Sequence, residues 1–414
     1  MRDAIVVGAG IAGLAAAVRL AEAGKTVTVL TKGLGGLQLS QGTLDIFGYN
    51  PDRVANPLDA VAAAPQGHPY HLLGADNVRA AVDWLVGVVG PELLVGSADA
   101  NINLPTAVGA VRPTAFAQPS MTAGVCVDGA KFAIVGLRRL KDFYPKLVAE
   151  NLSRTTLPDG GRLTARPVLI DVAARDGEID STGLTYARAL DAPALRKRLA
   201  AAIAAQLEDG ESVGLPAVLG LSDPNAWSDI AAQLGRPVFE IPLPPPSVPG
   251  MRLNTALTAR AKALGVRFIM GNTVLNPTVA DGRLTSLEVN ASGRPTPYEG
   301  SAFVFAPGGF ESGALGVDSH GKVSDTILGL PLVGADGDDL ICGDYWGTNQ
   351  RLFSVGLGTN ERGVVVNADG APVYENLYAA GGVLAGAVRW REKSGEGIAI
   401  ASAVRAADAI IGEA

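Results

Sequence analysis

The arrangement of apolar and polar positions near the start of the chain predicts a strand, a helix and a second strand. Residues 4–7 form a short apolar run rich in β-branched side chains, which is typical of a strand buried on both faces. Over residues 11–23 the apolar positions recur at helical spacing among many alanines, and Gly24 ends that helix. Residues 27–30 form a second apolar run. Together they predict a strand–helix–strand unit of an α/β fold.

Residues 33–90 are predicted to extend this unit. Segment 33–50 follows the second strand and is rich in small hydrogen-bonding residues. Segments 51–65 and 75–89 have helical patterns, and the sequence HPYHLLG at residues 68–74 is turn-like. The loop between the first strand and helix has three glycines, Gly8, Gly10 and Gly13, at the spacing of a dinucleotide-binding motif. Residues 1–90 are therefore expected to form the first part of a dinucleotide-binding domain.

Residues 91–250 have a mixed pattern that matches no single dinucleotide-binding layout. The pattern predicts a strand at residues 132–135 and helices at residues 194–207 and 225–234. The proline-rich segment 241–253 is expected to be extended, because proline fixes φ and restricts the residue before it. We interpret residues 91–250 as an inserted α+β cap or substrate domain.

Residues 251–414 are predicted to complete the first domain. The pattern indicates a helix from Arg252 to residue 264, a strand at 266–270, a hairpin at 274–289 around Asp281–Gly282, a strand at 301–306, a strand within 375–384, a charged loop at 389–393 and a helix from Ser394 to residue 411. A helix, a strand, a hairpin and a strand ending in small residues recur in flavin-binding Rossmann oxidoreductases. The predicted class is therefore an α/β, FAD/NAD(P)-binding Rossmann-like flavoprotein fold with an insertion.

The loop after the first strand carries the motif G-x-G-x-x-G at Gly8, Gly10 and Gly13. In a dinucleotide site these glycines allow a tight turn, close approach of a pyrophosphate and close packing of helix on strand. Ile11 and Ala12 begin the helix, whose free N–H groups and positive dipole end would face the phosphates. The alternative is an ordinary α/β unit whose glycines serve packing alone.

The residue expected to hold the adenosine ribose departs from the usual pattern. An acidic residue normally stands about 20 positions beyond the glycines, but this chain has Thr31 followed by Lys32. A threonine hydroxyl can hydrogen-bond a ribose without contributing charge, so the anchoring is expected to be weaker. FAD is the favoured cofactor and FMN the alternative, bound non-covalently in either case.

Small or hydrogen-bonding residues near the ends of later elements are predicted to line the cofactor. They are Ser40, Gln41, Gly42 and Thr43 after the second strand, Ala306, Gly308 and Gly309 after a later strand, and Gly381, Gly382, Gly395, Gly397 and Ile398 around the last helix. A helix N-terminus that faces a flavin ring stabilises the anionic reduced form and raises its potential.

Composition and charge narrow the function classes. The net charge is −7, so a nucleic-acid-binding surface is not expected. Glycine makes up 52 of the 414 residues, which suits a fold whose backbone repeatedly approaches a cofactor closely. Cys126 and Cys342 cannot supply the ligands of an iron–sulfur cluster, and no metal site is predicted. No apolar run approaches the roughly 20 residues of a membrane span, so we expect a cytoplasmic protein whose membrane contact comes through a partner.

Several longer stretches carry a family resemblance. They are residues 5–13, LSQGTLD at 39–45, HPYHLLG at 68–74, PAVLGLSDPNAW at 216–227, LPPPSVPGMRL at 243–253, and residues 306–309 and 376–386. With them the chain resembles the B subunits of bacterial anaerobic glycerol-3-phosphate dehydrogenases along nearly its whole length. The resemblance implies a complex with a second flavoprotein subunit and a membrane-docking iron–sulfur subunit at the inner face of the cell membrane.

The resemblance also implies oxidation of glycerol 3-phosphate to dihydroxyacetone phosphate, with electrons passed to quinone and then to fumarate or nitrate. FMN is usually described for this subunit, whereas the glycine motif favours FAD. The alternatives are a flavoprotein that relays electrons without substrate chemistry, and a stand-alone FAD-dependent oxidoreductase acting on another hydroxy compound.

Such chemistry needs a cation for the substrate phosphate and a base for the hydroxyl proton. The candidate cations are Arg252, Arg389, Arg391 and Lys393. The three histidines, His68, His71 and His320, have no convincing partner in the sequence. The base is therefore left unassigned.

Overall fold

The computed structural model of the chain describes residues 1–291, 293–337, 339–344 and 347–413. Its strands, in chain order, are β1 (Arg2–Val7), β2 (Val27–Thr31), β3 (Tyr49–Asn50), β4 (Asp52–Arg53), β5 (Val95–Gly96), β6 (Ile102–Pro105), β7 (Val111–Thr114), β8 (Phe116–Ala117), β9 (Lys131–Leu137), β10 (Thr164–Ile170), β11 (Ser212–Pro216), β12 (Val238–Ile241), β13 (Arg267–Met270), β14 (Val274–Ala280), β15 (Arg283–Ala291), β16 (Arg294–Phe305), β17 (Leu315–Val317), β18 (Val323–Asp325), β19 (Gly358–Thr359), β20 (Val365–Val366) and β21 (Leu377–Ala379). Its α-helices are α1 (Ile11–Glu22), α2 (Pro57–Ala62), α3 (Pro69–Leu73), α4 (Ala75–Val89), α5 (Pro145–Arg154), α6 (Gly183–Leu190), α7 (Pro193–Ala204), α8 (Ala226–Leu234), α9 (Val248–Ala263), α10 (Arg389–Glu392) and α11 (Gly395–Gly412).

The larger sheet brings the predicted glycine loops to one edge. Its strand order is β13-β2-β1-β16-β15-β14, and β21 also pairs with β16. The strands β13, β2, β1, β16 and β21 run parallel, with Val7 opposite both Leu30 and Phe305, and Phe305 opposite Ala379. The carboxyl ends of β1, β2, β16 and β21 therefore lie side by side, where ligands bind in open α/β sheets.

The predicted strand–helix–strand unit and hairpin are confirmed. α1 lies between β1 and β2 in the chain and packs against α11, which is also rich in alanine. β14 and β15 form an antiparallel hairpin whose turn residues Asp281 and Gly282 both have positive φ, 49° and 73°. That conformation matches the twist of the strands and favours Asp-Gly.

A second sheet lies in the segment interpreted as an insertion. Its strand order is β10-β9-β11-β12, and all of its pairs are parallel. Helices α5 and α8 pack on it, and it has its own apolar core, which includes Phe132, Val213 and Phe239. The predicted strand at residues 132–135 is part of β9, and the helices predicted at 194–207 and 225–234 correspond to α7 and α8.

Four predicted elements differ from the structure in their extent or in their type. Segment 51–65 is helical only over α2, because the Asn56 side chain caps the helix there and residues 49–53 form a small hairpin. The turn expected at residues 68–74 is the short helix α3, and the charged loop expected at 389–393 contains α10. The strand expected within residues 375–384 is limited to β21.

The helix expected from Arg252 begins four residues earlier. Ser247 caps α9 by accepting the Gly250 N–H at 3.3 Å, and a proline lies in the first turn, where its missing N–H costs nothing. Arg252 therefore lies inside the helix and not at its start. Within the described ranges, no helix is both long and apolar enough to cross a membrane.

Candidate active site

The glycines of the phosphate loop, residues 8–13, have different spatial requirements. A β-carbon on Gly8 (φ 103°) would lie 2.2 Å from the carbonyl oxygen of Ala306, and one on Gly13 would lie 2.0 Å from that of Gly8. A β-carbon on Gly10 would meet nothing within 4 Å. Packing therefore requires Gly8 and Gly13 to be glycine. Gly10 borders open space at the start of α1, where a pyrophosphate would approach the backbone.

The glycines that follow β16 and β21 meet this loop. A β-carbon on Gly381 (φ 79°) would lie 2.8 Å from that of Ala12, and one on Gly309 would lie 2.8 Å from the Gly382 carbonyl oxygen. Gly308 (φ 92°) turns the chain beside Ser312. The structure thus brings together the glycine loops that lie far apart in the sequence.

The start of α1 fits a dinucleotide phosphate. Gly10 is its N-cap, and no side chain accepts a hydrogen bond from the first-turn N–H groups there. Those donors and the positive dipole end are the features that bind phosphate. The residues present therefore fit the pyrophosphate of FAD.

Thr31 and Lys32 do not form an evident ribose site. The Thr31 hydroxyl donates to the Gly33 carbonyl oxygen at 2.5 Å and accepts the Gly33 N–H at 3.3 Å. Lys32 is exposed. The threonine hydroxyl therefore holds the turn after β2, and its contact with a ribose stays a prediction.

The polar residues of segment 40–43 contact protein groups. Gln41 Oε1 accepts a hydrogen bond from Arg112 at 2.6 Å, and the Thr43 hydroxyl accepts one at 2.7 Å. The Ser40 hydroxyl accepts the Gly42 N–H at 3.2 Å. A β-carbon on Gly42 (φ 74°) would overlap Pro249 at 2.3 Å. These residues hold the loop against β7 and α9, and a cofactor contact from them stays a prediction.

Arg112 forms a buried ion pair that the sequence patterns did not predict. Its guanidinium donates to both carboxylate oxygens of Asp45 at 2.6 and 2.7 Å, and the Thr114 hydroxyl donates to the same carboxylate at 2.6 Å. Asp45 closes the stretch LSQGTLD between buried apolar residues. A buried carboxylate needs a cationic partner, so the aspartate between apolar residues indicates that such a partner exists. Nothing in the sequence identifies Arg112 as that partner.

Arg252 is not free to bind a substrate phosphate, which corrects its assignment as a catalytic candidate. It donates to Glu240 at 2.6 and 3.1 Å, to Gln118 at 3.0 Å and to the backbone carbonyls of Leu219 and Gly220. Its side chain is only 9% exposed and that of Glu240 is fully buried. These hydrogen bonds occupy the N–H donors of the guanidinium with acceptors from the protein itself.

Arg391 is similarly engaged, whereas Arg389 is better placed. Arg391 donates to Asn349 Oδ1 at 2.6 Å and to the Gly347 carbonyl at 3.1 Å. The Arg389 guanidinium lies against the backbone of Gly309 and Gly382, and its ion pair with Glu311 is long, at 3.9 Å. Burial lowers the pKa of Arg389, and Glu311 only partly offsets this effect. Arg389 therefore remains a candidate for binding an anion.

The turn between α10 and α11 is fixed by a buried histidine–glutamate contact. His68 Nδ1 accepts the Tyr70 N–H at 3.1 Å, so Nε2 carries the hydrogen and donates to Glu392 at 3.2 Å. Glu392 also accepts from the Val388 N–H and from the Ser394 hydroxyl, each at 2.8 Å. His68 therefore has a partner that the sequence did not show, and both of its ring nitrogens are engaged. His71 faces the Ala64 carbonyl oxygen, and His320 is exposed.

The start of α11 combines packing positions with open ones. A β-carbon on Gly397 would lie 2.2 Å from the Tyr70 hydroxyl, so this glycine allows α3 to pack closely, and Ile398 is buried. Gly395 is unobstructed except for Arg389 at 3.9 Å. Lys393, in the turn, has positive φ (54°), and burial, followed by the charge of Arg112, lowers its pKa.

The chain matches a known family and full-length relatives. The model of the family described as "FAD binding domain" matches residues 3–398. A Halobacterium salinarum protein named as the B subunit of a probable anaerobic glycerol-3-phosphate dehydrogenase is 32% identical over 98% of this chain and 97% of its own length. A Yersinia pestis protein named as the B subunit of anaerobic glycerol-3-phosphate dehydrogenase is 30% identical over 99% of this chain and 98% of its own length.

Solved structures of flavoenzymes also align with the chain. A 3-ketosteroid Δ1-dehydrogenase from Sterolibacterium denitrificans aligns over the full length of both chains with a TM-score of 0.43 and 12% identity. The open conformation of a flavocytochrome c3 fumarate reductase covers 99% of this chain and 78% of its own, with a TM-score of 0.44 and 11% identity.

Proposed function

Because the chain belongs to the FAD-binding domain family, and within it to the anaerobic glycerol-3-phosphate dehydrogenase B subunits, we propose that it oxidises glycerol 3-phosphate within such a complex. The product is dihydroxyacetone phosphate, and the electrons pass on to quinone. The observation that carries this proposal is the 32% identity to a protein so named over 98% of the chain. The open phosphate loop at Gly10 supports the cofactor part of it.

FAD would be held non-covalently at the edge where the parallel strands end. Gly10 and the first turn of α1 would hold its pyrophosphate, and the loops after β16 and β21 would pack beside it. When bound, FAD supplies a two-electron acceptor for the hydride that leaves the substrate carbon.

The phosphate of glycerol 3-phosphate would be bound by Arg389 and Lys393. The Arg389 guanidinium lies beside the loops of Gly309 and Gly382, and Lys393 lies four residues further along at the turn into α11. Both side chains are largely withdrawn from solvent, where a charge-assisted contact to phosphate is strengthened. The internal bonds of Arg252 and Arg391 leave these two cations as the better candidates.

The partner subunits of the proposed complex are those that the family resemblance implies. A second flavoprotein subunit and an iron–sulfur subunit would connect this chain to quinone at the inner face of the cell membrane. Both relatives are named as one lettered subunit of a dehydrogenase, which supports the existence of partner subunits.

A second candidate function is electron relay without substrate chemistry. It is favoured by the internal engagement of Arg252 and Arg391, which removes half of the expected phosphate ligands. In that case a partner subunit would oxidise the substrate, and this chain would only pass electrons. A stand-alone FAD-dependent oxidoreductase acting on another hydroxy compound is the remaining alternative.

Anaerobic mixing of the FAD-loaded chain with glycerol 3-phosphate separates these functions. The proposal expects the flavin absorbance to bleach within the turnover time of the complex. Bleaching that occurs only when the partner subunits are present would indicate electron relay. Bleaching only by a different hydroxy compound would indicate a stand-alone oxidoreductase.

A further inference from the structure

The start of α11 carries a carboxylate that the flavin fold does not require. Glu396 is the second residue of α11 and is only partly exposed. Within the described part of the chain, its carboxylate accepts from its own backbone N–H and forms no ion pair or hydrogen bond with another residue. Most of its lone pairs are therefore available to an incoming group.

The other ionisable groups near this carboxylate are already engaged or cationic. Asp45 is bound by Arg112 and Thr114, and Glu392 is bound by His68 and Ser394. His68 uses both ring nitrogens within the protein. Among these acids and bases, Glu396 is the one whose proton-accepting oxygens face no protein donor from another residue.

Four elements contribute the charged and titratable groups that surround Glu396. Asp45 comes from the segment after β2, Arg112 from β7, Lys393 from the α10–α11 turn and Tyr70 from α3. The Gly397 N–H donates to the Asp45 carbonyl oxygen at 3.0 Å, and this bond connects the start of α11 to the segment after β2. Burial and then the negative charge of Asp45 raise the pKa of Glu396 to about 7, although Arg112 and Lys393 oppose the shift.

This position is close to the candidate phosphate ligands. Lys393 stands three residues before Glu396, in the turn between α10 and α11, and a β-carbon built on Gly395, next to Glu396, would lie 3.9 Å from the β-carbon of Arg389. A phosphorylated alcohol bound by Arg389 and Lys393 would thus have its hydroxyl end beside the start of α11. A general base must lie within hydrogen-bond reach of the proton that it takes.

We propose that Glu396 is the general base of this site and accepts the hydroxyl proton of a phosphorylated secondary alcohol. The inference rests on the proposed function and adds a residue to it. The O–H bond breaks and its proton passes to the Glu396 carboxylate. The hydride of the adjacent C–H bond would leave to the two-electron acceptor that bound FAD supplies, so that the alcohol carbon becomes a ketone carbon. Glu396 later returns its proton to water.

Stopped-flow reduction of the FAD-loaded chain by glycerol 3-phosphate tests this role. Glu396→Gln is expected to slow the reduction by about 10²- to 10⁴-fold, the usual contribution of a general base. Glu396→Asp should restore part of the rate because it keeps a carboxylate. Glu361→Gln, which changes an exposed carboxylate in a distant turn, should react at the wild-type rate.

The pH profile provides a signature that a structural role would not give. The wild-type rate constant should rise with pH through about 7 and then level off, because the base must be deprotonated. Glu396→Gln should lose this rise. Infrared difference spectra of the FAD-loaded protein should show a carboxylic acid signal that titrates over the same pH range and is absent from Glu396→Gln.

Each remaining outcome contradicts a defined part of the argument. Reduction of Glu396→Gln at the wild-type rate, with unchanged pH dependence, would overturn the general base and leave the proposed function intact. A Glu396 signal that titrates at the ordinary pH of a glutamate would also overturn it. A wild-type chain that binds FAD but is not reduced by glycerol 3-phosphate would overturn the proposed function and, with it, this role of Glu396.

Discussion

At the scale of single residues, the glycines of the phosphate loop are needed for different reasons: Gly8 and Gly13 for packing within the protein, and Gly10 for the approach of the ligand. Gly8 and Gly13 have backbone oxygens where a β-carbon would stand, at 2.2 and 2.0 Å. Gly10 has an extended backbone with negative φ and open space beyond it. A side chain at Gly10 would thus meet the cofactor and not the protein.

Gly10→Val is expected to abolish FAD binding while the protein stays folded. The loss of a good N-cap residue should cost only about 1 kcal/mol of stability. The matched variant Gly13→Ala should instead lower the free energy of unfolding by about 1–3 kcal/mol or more, because the new methyl group overlaps backbone. Flavin absorbance per protein and thermal denaturation measure the two effects. A folded Gly10→Val variant with normal FAD content would place the pyrophosphate elsewhere.

The Glu392 carboxylate predicts a pH-dependent stability. Burial alone would raise its pKa, but the hydrogen bond from His68, together with those from Ser394 and the Val388 N–H, lowers it below the ordinary 4.5. A carboxylate with a depressed pKa stabilises the folded state above its unfolded pKa, and this stability is lost as the pH falls through the folded value.

Glu392→Gln is therefore expected to be less stable than the wild type by about 1–3 kcal/mol near neutral pH, the cost of leaving buried donors poorly paired. The difference should shrink as the pH falls below about 4.5, the unfolded value. Denaturant unfolding at several pH values checks this. Glu361→Gln serves as the exposed control, and a stability difference for Glu392→Gln that does not change with pH would contradict the argument.

Residues were predictable from sequence where their role depends on local spacing. The spacing of Gly8, Gly10 and Gly13 was sufficient to predict a tight loop before a helix. The roles of Arg112 and His68 depend on partners brought together by folding, since Asp45 lies 67 positions from Arg112 and Glu392 lies 324 from His68. The role proposed for Glu396 depends on charged groups that folding places around it. Single-sequence patterns do not contain such pairings.

At the scale of elements, the Arg252–Glu240 pair joins α9 to β12 of the second sheet. Glu240 also accepts from the Ser120 hydroxyl at 2.6 Å and from the Leu219 N–H at 2.7 Å. The sequence suggested a phosphate ligand at Arg252 because the residue follows a proline-rich crossing. The structure shows instead a buried pair between two elements, and its loss would leave a carboxylate unpaired.

Arg252→Met should therefore lower the free energy of unfolding by about 3–5 kcal/mol, the cost of breaking a buried pair. In the double variant with Glu240→Gln, much of this loss should be recovered, since no uncompensated charge remains. The KM for glycerol 3-phosphate should be unchanged in whatever fraction stays folded. Chemical denaturation and steady-state kinetics measure these quantities, and an increased KM with unchanged stability would return Arg252 to the phosphate site.

Elements were predicted best where an amphipathic or apolar run is long and bounded by a clear signal. The helix α4 matches its predicted bounds, and the hairpin of β14 and β15 follows its Asp-Gly turn. The second sheet was only partly predicted, because β10 has exposed and half-buried positions over much of its length. Its hydrophobic pattern is weak, and its place in the sheet is set by pairing with β9.

At the scale of the whole molecule, the two larger sheets, the one with β1 and β2 and the one with β9–β12, have separate apolar cores. We propose the division into residues 1–90, 91–250 and 251–414, in which the first and last parts share the larger sheet. The start of the middle part packs into the core of that sheet through Leu94, Ala98, Ala115 and Phe116. The candidate site lies where the loops of the larger sheet meet the start of α11. Arg112 lies on β7, which pairs with β6 within residues 91–250, and its ion pair with Asp45 connects that part of the chain to the candidate site.

The last prediction concerns the route by which electrons leave the chain. In the described ranges, no group of three or more His, Cys, Asp or Glu side chains is arranged to hold a metal ion. The resemblance, and not this absence, implies that the proposed route to quinone runs through a partner that carries redox centres. We expect the isolated FAD-loaded chain to give little glycerol 3-phosphate:quinone activity. Reconstitution with the second flavoprotein and the iron–sulfur subunit should raise this activity by at least about tenfold, equivalent to about 1.4 kcal/mol in the barrier.

Gly10→Val, which should assemble without FAD, provides the matched control and should not support this increase. Full quinone reduction by the single chain would reject the subunit proposal and indicate a free-standing oxidoreductase.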